Sequence, residues 1–165
     1  MDVSDLITPE AIVVNLHAGS KKQALQELAA LASNLTAVDE QLIFDTLVDR
    51  ERLGSTGVGQ GIALPHGRFE QVTEIFGLFG RLNKPVDFES VDEKPVDLIF
   101  VLLVPESAGA NHLKALASVS RLLRIKTLCA KLRGARDPDA VYALLCGAAD
   151  APTDQDSPLR QARAS

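Results

Sequence analysis

Apolar positions along the chain switch between a strand-like and a helix-like spacing, and the switches mark out the elements. Ile12-Val13-Val14 is a β-branched run within residues 11–16 and follows Thr8-Pro9, which predicts a strand. Ala24, Leu25, Leu28, Ala29, Leu31 and Ala32 then recur at helical spacing behind Ser20, a residue suited to cap a helix. A second helix begins at the cap Asp39, buries Ile43, Phe44, Leu47 and Val48, and has Gly54 just past its end. Ile62-Ala63-Leu64 reads as a short buried strand after a glycine-rich stretch, and residues 73–82 alternate loosely as a further strand. Residues 85–88 begin an extended connector. The clearest strand is 96–104, where Leu98 to Val104 is uninterrupted apolar sequence, as at the centre of a sheet buried on both faces, and Pro105 stops it.

Helical spacing returns after the loop 106–111, with Leu113, Leu116, Val119, Leu122 and Leu123 as the expected stripe and His112 at the start of the helix. A shorter helix spans about 127–134. The last is capped by Asp137, has Pro138 at its first position and ends near Gly147. The order strand, helix, helix, three strands, three helices predicts an α/β fold: a single-domain sandwich with a mixed central sheet and helices on both sides. That domain is expected to cover residues 1–147. Residues 148–165 are rich in Ala, Pro, Asp and Ser without an apolar stripe, and are expected to form a disordered tail.

Composition narrows the function classes. The 165 residues are 46% hydrophobic and 24% charged, enough apolar sequence for one full core. A net charge of −5 argues against a nucleic-acid surface, which needs clustered Lys and Arg. No stretch approaches the about 20 apolar residues of a membrane span, and the beginning, Met1-Asp2-Val3-Ser4-Asp5, is acidic where a signal peptide is basic, so a cytoplasmic protein without membrane insertion is expected. Cys129 and Cys146 lie in apolar helical patterns and form no CxxC, which predicts free buried thiols. His17, beside Gly19, Ser20, Lys21 and Lys22, reads as part of a solvated turn and is given no role.

Candidate chemistry gathers at residues 54–68. The glycine-rich stretch lacks the Lys-Ser/Thr of a phosphate-cradling P-loop and does not fit GxGxxG, and GxSxG is absent. The three histidines are far apart with no HExxH, so no metal or cofactor is expected. Pro65 disfavours the helical region for Leu64, so the chain arrives at His66 extended and its imidazole should leave a strand end. Gly67, without a Cβ, leaves room for a backbone or a partner to come close, and Arg68 adds positive charge. Read from these residues alone, His66 is either a turn residue or a histidine displayed for nucleophilic attack on phosphorus. Neutral imidazole needs no separate base for that attack, and phosphoryl transfer depends mainly on positioning and on stabilising the equatorial oxygens. His112 at a helix start and Arg50 are the donors available for it. Arg50 lies three residues after Leu47 and seven after Ile43, at the edge of the buried stripe, so its guanidinium can reach inward past the helix end.

The run Arg50-Glu51-Arg52-Leu53-Gly54-Ser55-Thr56-Gly57-Val58-Gly59 followed by Gly61-Ile62-Ala63-Leu64-Pro65-His66-Gly67 resembles the signature of enzyme IIA of the phosphotransferase system, mannitol/fructose/nitrogen-related type. Leu102-Leu103-Val104-Pro105 with His112-Leu113 beyond it resembles the second signature, and the nitrogen-regulatory subgroup is the nearest. The resemblance implies the mannitol-type enzyme IIA fold, phosphorylation of His66 at Nε2, assistance by His112 and neutralisation by Arg50. It implies a nitrogen-type histidine phosphocarrier protein as donor and regulatory targets such as potassium-uptake systems or sensor kinases. From charge and motif position, the donor is expected to dock on an apolar patch around the Gly67 side, with its own basic residues facing this acidic chain. Transfer to a separate sugar permease, a phosphorylation-independent binding module and a histidine-dependent hydrolase stay open as alternatives.

Overall fold

A computed structural model describes residues 2–150. After two 3-10 turns, Val3–Asp5 and Pro9–Ala11, the elements run β1 (Ile12–Leu16), α1 (Lys21–Thr36), α2 (Glu40–Arg52), β2 (Gly57–Gly59), β3 (Ile62–Ala63), β4 (His66–Phe69), β5 (Phe76–Val86) and β6 (Val96–Pro105). A third 3-10 turn, Glu106–Ala108, leads into α3 (Ala110–Leu122), α4 (Lys126–Gly134) and α5 (Pro138–Asp150). The caps read from sequence form: Ser20 Oγ accepts from Gln23 N at 3.1 Å, Asp39 Oδ2 from Leu42 N at 3.0 Å and Asp137 Oδ1 from Ala140 N at 2.8 Å. Each satisfies a first-turn N–H that has no partner inside its own helix.

The sheet has the order β1-β5-β6-β3-β2, with β4 also on β6 beyond β3. β6 is its axis, buried at every position except the half-buried Asp97. It runs antiparallel to β5, with Phe79 opposite Phe100, and parallel to β3 and β4. Helices cover both faces. A Cβ on Gly80 would touch Leu28 of α1, whereas Gly77, three residues earlier and so on the opposite face, points at Leu6 in the segment against which α3 and α5 pack. The expected α/β sandwich with a mixed central sheet is therefore the fold that forms.

Several expectations need correction. β5 begins at Phe76 and extends to Val86 where 73–82 was expected, because the ladder with β6 shifts register between Arg81 and Val86. Pro85 falls inside that shift, where its missing N–H costs no ladder bond. The glycine-rich stretch contains a strand, β2, joined to β3 by Gln60 and Gly61, whose φ angles of 61° and 81° make a tight hairpin turn. Leu113 is exposed, and the buried stripe of α3 is Ala115, Val119 and Leu122. Of the two free thiols only Cys129 is buried; Cys146 is half-buried. Helix α5 continues through residues 148–150, past the expected end at Gly147; the rest of the expected tail lies outside the described residues. Among the described residues no helix is long and apolar enough to cross a membrane.

Candidate functional site

His66 does not end a strand; it is the first residue of β4. The extended run along β6 breaks at Leu64-Pro65, where Leu64 N turns back to Thr56 O at 3.0 Å and Pro65 has no N–H to offer. It resumes with His66 opposite Leu102. Strand alternation then puts His66 and Arg68 on one face and Gly67 and Phe69 on the other. Gly67 is buried, and a Cβ there would lie 2.7 Å from Thr46 Cγ2 of α2 and 3.3 Å from the Phe69 ring. The room that glycine leaves is filled from within by Thr46 and Phe69, so Gly67 itself is not a point where a partner comes close. Gly67→Ala is expected to cost about 1–3 kcal/mol through this overlap. Urea unfolding checks it, and an unchanged midpoint would mean that α2 can move aside.

The His66 ring is held at both nitrogens. Nδ1 lies 2.9 Å from the Leu64 carbonyl oxygen, which can only accept, so Nδ1 carries the proton and Nε2 keeps its lone pair. Arg50, in the last turn of α2, donates Nε–H to that Nε2 across 3.4 Å, and its NH1 donates to Gly54 O at 2.8 Å. The contact with Nε2 is long for a hydrogen bond, which leaves the lone pair loosely engaged. His112, in the first turn of α3, stands edge-on to His66 with ring centroids 5.3 Å apart and planes at 61°. The three residues expected from sequence are thus brought together.

Two contributors hold more of the site than the sequence reading assigned, which gave Arg68 only a nearby positive charge and Glu51 no role of its own. Arg68 donates from NH2 to His112 Nδ1 and from NH1 to Glu106 O, both at 3.3 Å. Glu51, one residue after Arg50, is buried; it accepts from Thr56 N at 3.0 Å and from the Thr56 hydroxyl, and pairs with Lys21 Nζ at 2.8 Å. It had a signal: positions 43, 47 and 51 share a helix face, so Glu51 continues the buried stripe. His112 Nε2 is buried and has no hydrogen-bond partner among the described residues. The N-cap of α3 is Gly109, which has no side chain to satisfy the first-turn N–H groups.

Burial holds the His66 imidazole below its ordinary pKa; the Leu64 carbonyl opposes it in part, the Arg50 charge adds a smaller lowering, and Glu51 opposes least. His112 is lowered first by burial, then by His66 and Arg68. Both rings are therefore neutral at neutral pH. Because the folded values lie below the unfolded ones, the unfolded chain binds more protons as pH falls below about 6.5. The stability associated with these rings is complete above that pH and is lost as the pH drops towards the folded values. We expect urea unfolding to show a larger loss between pH 7.5 and 5.5 for the wild type than for His66→Gln/His112→Gln; equal losses would contradict neutral burial of the rings.

No group of three or more His, Cys, Asp or Glu able to hold a metal occurs among the described residues. An open cavity of about 350 Å³, lined in part by Leu6, Thr36, Gln71 and Phe76, includes none of the site residues. His66 itself is half-buried.

A model of the family described as "Phosphoenolpyruvate-dependent sugar phosphotransferase system, EIIA 2" matches residues 5–147. The chain is 55% identical over 145 residues to a nitrogen regulatory protein of Bradyrhizobium diazoefficiens, covering 88% of this chain and 95% of the relative. Its fold is similar to that of the nitrogen regulatory protein IIA-Ntr from Neisseria meningitidis, with a TM-score of 0.82, 37% identity and coverage of 87% and 98% of the two chains. The IIA mannitol structure from Escherichia coli, at 22% identity, a TM-score of 0.72 and coverage of 84% and 97%, shares the fold.

Proposed function

The chain belongs to the EIIA 2 family of the phosphoenolpyruvate-dependent sugar phosphotransferase system, in its nitrogen-regulatory branch, and from that premise we propose that it is a phosphocarrier charged on His66. The observation that carries this reading is the pairing at the His66 ring: Nδ1–H is committed to the Leu64 carbonyl, and Nε2 keeps its lone pair towards Arg50, with the His112 ring edge-on beside it. A half-buried, neutral imidazole held in one tautomer is a nucleophile that needs no base.

In the proposed transfer, the Nε2 lone pair attacks the phosphorus of a phosphohistidine on the donor, a nitrogen-type histidine phosphocarrier protein. A new N–P bond forms as the donor's N–P bond breaks, and the bonding pair stays with the donor's nitrogen. No proton has to move: His66 keeps its Nδ1–H, and the Leu64 carbonyl stabilises the positive charge that the ring gains. Arg50 is the cationic donor to the equatorial oxygens, and His112 Nε2 is a second donor without a competing partner. The open first turn of α3 adds a favourable field for an anion.

The phosphorylation state then selects regulatory partners, potassium-uptake systems or sensor kinases among them, in the cytoplasm. Residues 1–147 form the phosphocarrier unit in this reading, in line with the 5–147 matched by the family. The test is intact-mass spectrometry after incubation with phosphoenolpyruvate, enzyme I and the histidine phosphocarrier. One acid-labile phosphoryl group is expected on the wild type. A folded chain that gains none from working donors would instead be a phosphorylation-independent binding module.

A further inference from the structure

The two histidines of the site face different environments at the same ring atom. His66 Nδ1 meets a carbonyl oxygen, whereas His112 Nδ1 meets a guanidinium. A guanidinium has donors and no lone pair to offer, and it stays protonated at any pH the fold tolerates. His112 Nδ1 must therefore accept, and in the neutral ring the proton is on Nε2. The alternative tautomer, or the doubly protonated ring, would set an N–H against the Arg68 N–H groups at 3.3 Å.

We propose that Arg68 is a positioning residue for the phosphoryl transfer: by donating to His112 Nδ1 it fixes the opposite tautomer to that of His66, making one ring the nucleophile and the other the donor. Three observations converge on this. Arg68 is two residues beyond His66 on the same face of β4, so the strand that displays the nucleophile also holds the guanidinium in place. NH1 of the same group donates to Glu106 O, in the segment that leads from β6 into α3, so the fork bridges β4 to the approach of His112. The atom left with the proton, His112 Nε2, is buried and without a partner among the described residues, and such a donor is costly unless an acceptor arrives. A phosphoryl oxygen is an acceptor of that kind. In water a histidine exchanges between tautomers, so an unassisted His112 would present its donor only part of the time.

The inference rests on the phosphocarrier reading, and the experiment separates the two. Long-range 1H–15N spectra of labelled wild type, Arg68→Met and Arg68→Lys at pH 7.5 report which nitrogen of His112 carries the proton, with no donor protein present. Wild type is expected to show protonated Nε2 and bare Nδ1. Arg68→Met, which keeps the aliphatic stem and removes the donors, is expected to show averaged tautomers and phosphoryl acceptance slowed about two-fold, in proportion to the time in which His112 Nε2 lacks its proton. Donor affinity, read as KM, should change less than kcat. Arg68→Lys retains a donor and is expected to restore both the tautomer and most of the rate. An unchanged His112 tautomer in Arg68→Met, or a tautomer change with normal acceptance, overturns the role of Arg68 while leaving the carrier intact. A wild type that takes no phosphoryl group overturns the carrier reading itself.

Discussion

His66→Ala is expected to remain folded and to take up no phosphoryl group under conditions in which the wild type gains one. The loss should be complete and not partial, because the other ring of the site is the proposed donor: its Nε2 carries the proton, and its Nδ1 is turned to the Arg68 guanidinium. Folding should survive because His66 is half-buried and its burial keeps the ring neutral, so the alanine removes a desolvated polar group from a position whose ladder contact to β6 is made by backbone. Arg50 loses its acceptor but keeps Gly54 O. Intact mass of the incubated variant, beside a thermal melt, reads both halves. A variant still charged on a single histidine would place the nucleophile elsewhere and remove the basis of the site described above.

Glu51→Ala is expected to cause the largest loss of stability among single changes near the site, about 3 kcal/mol or more, as for breaking a buried ion pair from one side. The side chain is only 5% exposed, and removing it leaves the Thr56 N–H and hydroxyl without their acceptor and Lys21 without its nearest counter-charge. Lys21 keeps Glu89 at 3.3 Å and the Phe88 ring at 5.0 Å, which offset part of the cost. For a chain of this length the melting temperature should fall by roughly 10 °C. Glu51→Gln retains an acceptor for Thr56 and loses the charge, so its loss should be smaller. A Glu51→Ala midpoint within error of the wild type would show that the carboxylate contributes no net stabilisation. The change should also slow transfer, because Thr56 anchors the loop whose Gly54 carbonyl holds Arg50 in front of His66.

Features legible from sequence were those fixed by local chemistry. Ser20, Asp39 and Asp137 announced their helices because capping is a contact across three residues. β6 announced itself because burial on both faces leaves no polar position from Leu98 to Val104. Helix phase put Arg50 at the edge of the buried stripe, and the resemblance gave it its place in the site. Features set by strand register were not legible. Arg68 reaches Glu106 and His112 because β4 and β6 run parallel with Arg68 opposite Val104, a pairing across residues far apart in the chain. The β2–β3 hairpin was hidden by its length and by Gln60, where a turn of this shape usually has Asn or Asp. Gly67 was read correctly as a point of close approach and wrongly as to what approaches, since Thr46 belongs to a helix already complete before the glycine.

The position of β6 also sets an order of events in time. β4, which displays His66, finds its sheet partner only in β6, and β5 intervenes in the chain before that partner exists. Closing this non-local pairing costs chain entropy before any contact repays it, so β4 settles late in folding. A chain emerging from the ribosome has His66 exposed long before it has the strand that fixes Leu64 and Pro65 or the helix that brings His112. In the phosphocarrier reading, competence to be charged would therefore arise only with a nearly finished sheet, and a truncated or half-made chain is expected to take no phosphoryl groups from the donor pool.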